Sequence, residues 1–449
     1  MSKATTHKEA RPLKTLSVVA GAAFIIGIVI GIGIFRTPSL VANFTGSGTL
    51  FIAAWALGGV IMLAGALCYA ELGSAHPNAG GEYHFLSRAY GPSVGVLFAW
   101  ARCTVIQTGA IAAVAFVYAD YASNIIPLGA YGAAIHAVLA LVVLTSVNLI
   151  GTPQGARTQI ALTGLTIVAL LAVILAGISS SGSVAPPPAA PSSPSFGMFG
   201  LAMVFVLLTY GGWNEAAYLS GELKDVRHNM VRTLLLGTAV VVAVYLLANI
   251  AYLNVFGIEG LRKSSAVGAD LMRIVAGDAS AIVFSLIVCV CALSTLNATI
   301  FTGARGYYAL GRDVPPVRKL GVWEERGDKP ANALLLQFVI SLALLLFGSV
   351  TRDGFEAMVA YTAPVFWFFL LLVAISVFIF RNRSATADLP YRMPLYPLPA
   401  LVLAAAALWM IYSSLTYAGV GSWVGVAVLI AGIPLVLLAR GRTATEAAE

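Results

Sequence analysis

The chain has 449 residues, of which 59% are hydrophobic and only 10% charged, and it carries a net charge of +7. A soluble protein would have about 25% charged residues and a membrane β-barrel would show short alternating segments, whereas here apolar runs of about 20 residues recur throughout. Composition excludes both and implies an all-α polytopic membrane protein; its basic residues are scattered over short connections with no basic, aromatic-interleaved domain, which argues against nucleic acid.

After a tail at 1–14, the first apolar run spans 15–42 and exceeds signal-peptide length, so it is expected to remain as a transmembrane helix. Eleven more runs follow at 48–73, 92–125, 131–150, 157–178, 197–221, 232–257, 279–308, 331–350, 355–381, 396–417 and 422–440, predicting twelve transmembrane helices. With the N-terminus in the cytoplasm, 20 of the 26 basic residues fall inside, 4 outside, and Arg36 and Arg102 within helices. The positive-inside rule then predicts two cytoplasmic termini in a cell-membrane protein. Cys68, Cys103, Cys289 and Cys291 lie inside apolar runs and read as small packing residues.

Two runs carry glycines where a membrane helix gains least from them. Gly27, Gly31 and Gly33 interrupt the first, and Tyr210-Gly211-Gly212-Trp213 interrupts the sixth. Glycine in a helix interior costs about 0.5–1 kcal/mol relative to alanine, and unpaired backbone in lipid costs more unless a cavity or ligand satisfies it. The proline-rich segment 179–196 reads as an extracellular linker, with five runs before it. Paired interruptions at corresponding places in two inverted halves point to the midplane site of a secondary transporter.

The run Tyr69 to Tyr83 with its Pro77-Asn78-Ala79-Gly80-Gly81-Glu82 break, Gly31-Ile32-Gly33-Ile34-Phe35, Tyr210-Gly211-Gly212-Trp213-Asn214 followed by Arg227-His228-Asn229, and Pro390 to Pro397 resemble the amino acid–polyamine–organocation superfamily. The similarity is greatest to its L-type amino acid transporter branch. It implies a leucine-transporter-like fold: an inverted repeat of five plus five helices at 15–178 and 197–381, accessory helices at 382–440, and a cytoplasmic tail at 441–449. The implied activity is amino acid transport by exchange or proton coupling, with an organic-amine carrier of the same superfamily as the alternative.

Broken helices suit a zwitterion. The N–H groups near Ile32 and Gly33, at a positive dipole end, can donate to a carboxylate, and carbonyls near Val29, Leu208 and Gly211 can accept from an ammonium. The resemblance assigns the same stretches to the substrate, so the binding candidates are Val29, Gly31, Ile32, Gly33, Leu208, Tyr210, Gly211, Trp213 and Asn214. Trp213 is read either as lining the site or as a packing anchor. Ile32 stands where some relatives carry serine, and Leu208 where relatives carry a bulky aromatic gate, which predicts a larger occluded space for neutral or apolar side chains.

Ionisable groups within the membrane are functional candidates: Glu71 for an inner gate, with Arg102 and Glu215 for gating or coupling and Arg36 beside them. Both arginines also read as snorkelling or structural. Thr166 occupies the place where many relatives carry a lysine, leaving exchange, a carboxylate-based proton route, or a cation such as sodium held by Thr166, Ser294 and Thr295. The five histidines are dispersed and no nucleotide or metalloprotease motif occurs, so neither enzymatic activity, a cofactor nor a metal is expected. The expected partners are a small-molecule amino acid and the lipid bilayer, with no obligatory protein partner evident.

Overall fold

In the computed structural model, residues 17–78, 81–150, 156–180, 195–215, 223–324, 329–351, 353–383 and 389–438 are described. Ten helices among them are long and apolar enough to cross a membrane: α3 (Gly48–Ala75), α5 (Pro92–Ser123), α6 (Gly132–Ile150), α7 (Ala156–Ser179), α9 (Val226–Arg262), α11 (Asp278–Asp313), α12 (Ala331–Ser349), α13 (Gly354–Arg383), α14 (Leu398–Tyr417) and α15 (Val420–Leu438). An eleventh span results if α1 (Val18–Val29), a short 3-10 turn (Ile32–Phe35) and α2 (Thr37–Thr45), bent by 65°, count as one. Helix α8 (Phe196–Thr209) is apolar but short, because it ends at the predicted break. Among the described residues the regular secondary structure is helical, with an isolated Glu324–Lys329 bridge, and the protein is multi-pass.

Local chemistry places the ends. Ser47 accepts the Leu50 N–H and Ser195 the Met198 N–H, capping α3 and α8. Gly91, at φ +96°, leads into Pro92 at the start of α5. The helix predicted to end at 257 breaks there: Gly257, at φ 60° and ψ 178°, kinks the chain, and a further short helical stretch runs to Arg262. Two short helices, α4 (Gly81–Tyr90) and α10 (Val267–Ala276), escaped the sequence reading because neither contains a long apolar run.

One buried core joins nearly all these elements, while Val60, Leu139, Leu175, Val339 and Leu408 point outward. Exposed aliphatics on almost every long helix are what a lipid-facing surface requires. Close packing in the interior relies on small residues. A Cβ at Gly58 would come within 2.4 Å of Val206, and one at Gly65 within 2.3 Å of Trp213, so α3 lies directly against α8 and the turn that follows it.

Candidate substrate site between the broken helices

The first break forms where predicted. Helix α1 stops at Val29, Gly31 is extended (φ −102°, ψ −171°), and a 3-10 turn restarts at Ile32. Among the described residues no backbone carbonyl takes the N–H of Ile32 or Gly33, and both residues line a cavity of about 320 Å³. The Val29 carbonyl, expected to accept from an ammonium, has two partners within the protein. It accepts the Gly31 N–H at 2.7 Å and the Tyr245 hydroxyl at 2.7 Å, and neither Val29 nor Gly31 belongs to the cavity wall.

The second break ends α8 at Thr209, with Gly212 at φ +106° and a 3-10 turn at Trp213–Glu215. Residues 216–222 and the side chain of Glu215 lie outside the described residues. Leu208, Gly211 and Asn214 line the cavity. The Leu208 carbonyl accepts the Gly211 N–H at 3.0 Å, which leaves one of its two lone pairs for a further donor. Tyr210 and Trp213 stand behind the wall instead of in it. Tyr210 donates to the Trp55 carbonyl at 3.2 Å and packs on Tyr245, while Trp213 meets Tyr69 edge-to-face at 4.9 Å.

Helices α5 and α13 supply the remaining wall. Between Arg102 and Gln107, α5 widens into a π-helical segment, a feature frequent at functional sites. The Tyr307 hydroxyl donates to the Cys103 carbonyl at 2.8 Å and Tyr361 to the Thr104 carbonyl at 2.9 Å, satisfying backbone within this segment. Beyond it, Gly109, Ala110, Ala113 and Val114 present little bulk to the cavity. Phe205, Phe355, Val359 and Phe366 make the facing surface apolar and aromatic, with Thr37, Thr209 and Thr362 as neutral polar points.

Ion pairs mark the two ends. At one, the Arg36 guanidinium reaches Asp120 at 2.9 Å, Asp353, and the Ser39 hydroxyl at 2.9 Å, and Arg36 is only 6% exposed. This ties the 65° bend to the ends of α5 and α13. Arg36 is thus a structural ion-pair member, and its two carboxylate partners were not singled out from the sequence. At the other end Glu71 takes Arg381 Nε at 2.7 Å, Arg381 Nη2 at 2.6 Å and the Met393 N–H at 2.7 Å, while the guanidinium stacks 3.7 Å from the Tyr396 ring centroid. The Pro390-to-Pro397 motif is what closes over Glu71.

A carboxylate that the sequence reading left within a motif lines the cavity itself. Glu82 of α4 is buried; its Oε1 accepts the Tyr69 hydroxyl and, at 3.1 Å, the Asn214 amide, and its Oε2 lies 3.6 Å from Arg102. Its position after Gly80-Gly81 was the only available signal. The proposed cation ligands, in contrast, are not in this wall. Thr166 donates to the Leu162 carbonyl at 3.1 Å and Thr295 to the Cys291 carbonyl at 3.0 Å, each within its own helix, and Ser294 precedes Thr295 on α11. Among the described residues no cluster of three or more His, Cys, Asp or Glu is arranged to hold a metal ion.

A family model described as amino acid permease matches residues 16–437. The chain is 28% identical to the mouse b(0,+)-type amino acid transporter 1 over 87% of this chain and 80% of that protein. It is 25% identical to the serine/threonine exchanger SteT of Bacillus subtilis over 96% and 98%. It is 28% identical to the mouse large neutral amino acids transporter small subunit 2 over 95% and 81%. The chain therefore belongs to the amino acid permease family, whose members are membrane transporters and not enzymes.

Proposed function

We propose that this protein carries neutral or bulky apolar amino acids across the cell membrane by alternating access, through exchange or proton coupling. The observation that carries the reading is the cavity beside the first break. It offers the Ile32 and Gly33 N–H groups to a carboxylate, is otherwise mostly apolar, and at about 320 Å³ suits one small ligand. The reading includes twelve membrane helices in a five-plus-five inverted repeat at 15–178 and 197–381, with accessory helices at 382–440 and both termini cytoplasmic. In that orientation the Arg36 cluster closes the extracellular end and Glu71–Arg381 braces the cytoplasmic end. One relative is named a small subunit, and the proposal for this chain is that it works without an obligatory protein partner.

Glu82 on the wall favours one second reading, an organic-amine carrier, because a carboxylate can receive an ammonium that has no carboxylate of its own. Purified protein in liposomes distinguishes the two. Saturable uptake of labelled amino acids, with competition by other amino acids, is expected; thermal stabilisation and competition by amines alone would establish the second reading.

A further inference from the structure

We propose that Glu82 is the proton-carrying carboxylate of this transporter, its affinity for the proton set by whether Asn214 and Arg102 face it. The inference rests on the transport reading and names its coupling ion and site.

Glu82 is held between separate elements. Its own helix α4 packs on α5 and α13, Tyr69 comes from α3, Arg102 from the π segment of α5, and Asn214 from the turn that follows the second helix break. Every donor favours the ionised carboxylate, and an adjacent guanidinium favours it further. Opening and closing a cavity between these elements changes those distances. Once both Asn214 and Arg102 withdraw, the carboxylate keeps the Tyr69 hydroxyl but loses its cationic neighbour, in a cavity whose wall also includes Phe98, Phe369 and Leu370. A buried carboxylate that has lost its cationic neighbour has its neutral form favoured and takes a proton. A hydronium ion in the cavity passes its proton to a Glu82 oxygen, its own O–H bond breaking to leave water as the carboxylic O–H forms, and the ion pair with Arg102 gives way; release to water reverses each step with no other reactant. Because conformation changes proton affinity, proton binding must change the conformational equilibrium equally.

The other charged and titratable groups around α4 are differently occupied. Arg381 and Glu71 bind each other, and Arg383 donates to the Arg88 carbonyl at 3.1 Å. Burial and the Arg88 charge push His84 below its usual range, and burial, Arg88 and His84 bring His76 down to about 4, so both stay neutral near pH 7. Tyr69 bonds Glu82 directly, and the Glu215 side chain lies outside the described residues.

The test uses the full chain in liposomes, a radiolabelled mixture of the standard amino acids and an entrapped pH dye. Wild type is expected to take up label faster under an inward proton gradient and to acidify the lumen in step with uptake. In Glu82→Gln the protons moved per amino acid should fall at least tenfold, and Glu82→Asp should restore them. Arg102→Gln keeps the inference open to refutation if Glu82→Gln does not fold: without the guanidinium, the midpoint of the uptake–pH profile should move up by about one unit. Amino acid exchange without proton movement in wild type would overturn the inference while leaving the transport reading intact. An unchanged proton ratio in Glu82→Gln, or an unmoved midpoint in Arg102→Gln, would overturn it as well. No uptake or competition by any amino acid in wild type would defeat both readings together.

Discussion

Gly33→Val tests the site most directly, because the surroundings of Gly33 separate a folding role from a binding role. A Cβ built there meets Thr209 Cγ2 at 3.6 Å and the hydroxyls of Thr209 and Thr37 at 3.9 Å, which is ordinary contact. Gly33 is also not among the positive-φ glycines, so its backbone accepts an L side chain. Folding alone gives no reason for glycine here, and Gly33→Ala should leave thermal stability unchanged or slightly raised, given alanine's advantage of about 0.5–1 kcal/mol in helical backbone. Valine adds two methyl groups beside the N–H donors that line the cavity. Overpacking typically costs about 1–3 kcal/mol, or roughly 5- to 150-fold in affinity. Measuring amino acid affinity by thermal shift and by competition of uptake, with Gly33→Ala as the folding control, decides the matter. A well-folded Gly33→Val protein with wild-type affinity would remove the first break from the site.

Leu208 lines the cavity while Tyr210 and Trp213 do not, so Leu208→Phe should weaken the largest amino acids by about 1–3 kcal/mol more than alanine or serine in competition assays; parallel shifts for every ligand would refute size selection. Removing the guanidinium with Arg36→Gln leaves Asp120 and Asp353 without their shared partner, and breaking such a buried pair costs about 3–5 kcal/mol. This should destabilise the closed outer end, read as faster labelling of Phe355→Cys by a membrane-impermeant thiol reagent from outside. Glu71→Gln should lower thermal stability by roughly 3 kcal/mol by stranding Arg381; a variant of unchanged stability with altered transport direction would mark a gate instead of a brace.

Sequence alone determined that this is a helical membrane protein, where most of its long helices lie, and where two of them break. Those properties are local: an apolar run of about 20 residues is a membrane helix whatever its neighbours, and Gly31 or Gly211-Gly212 interrupts it by its own backbone. Its motifs also pointed to Ile32, Gly33, Leu208, Gly211, Asn214 and Arg102, all of which line the cavity. What decided the rest was pairing between distant positions. Nothing near Val29 announces that Tyr245, 216 residues on, will take its carbonyl, nor that Arg36 will meet Asp353, 317 residues away. Glu82 was visible in a motif, yet its place in the wall depends on four elements brought together, with Tyr69, Arg102 and Asn214 each supplied by a different one. A side chain's type sets which bonds it can make, and only the packed helices decide which partner stands within reach.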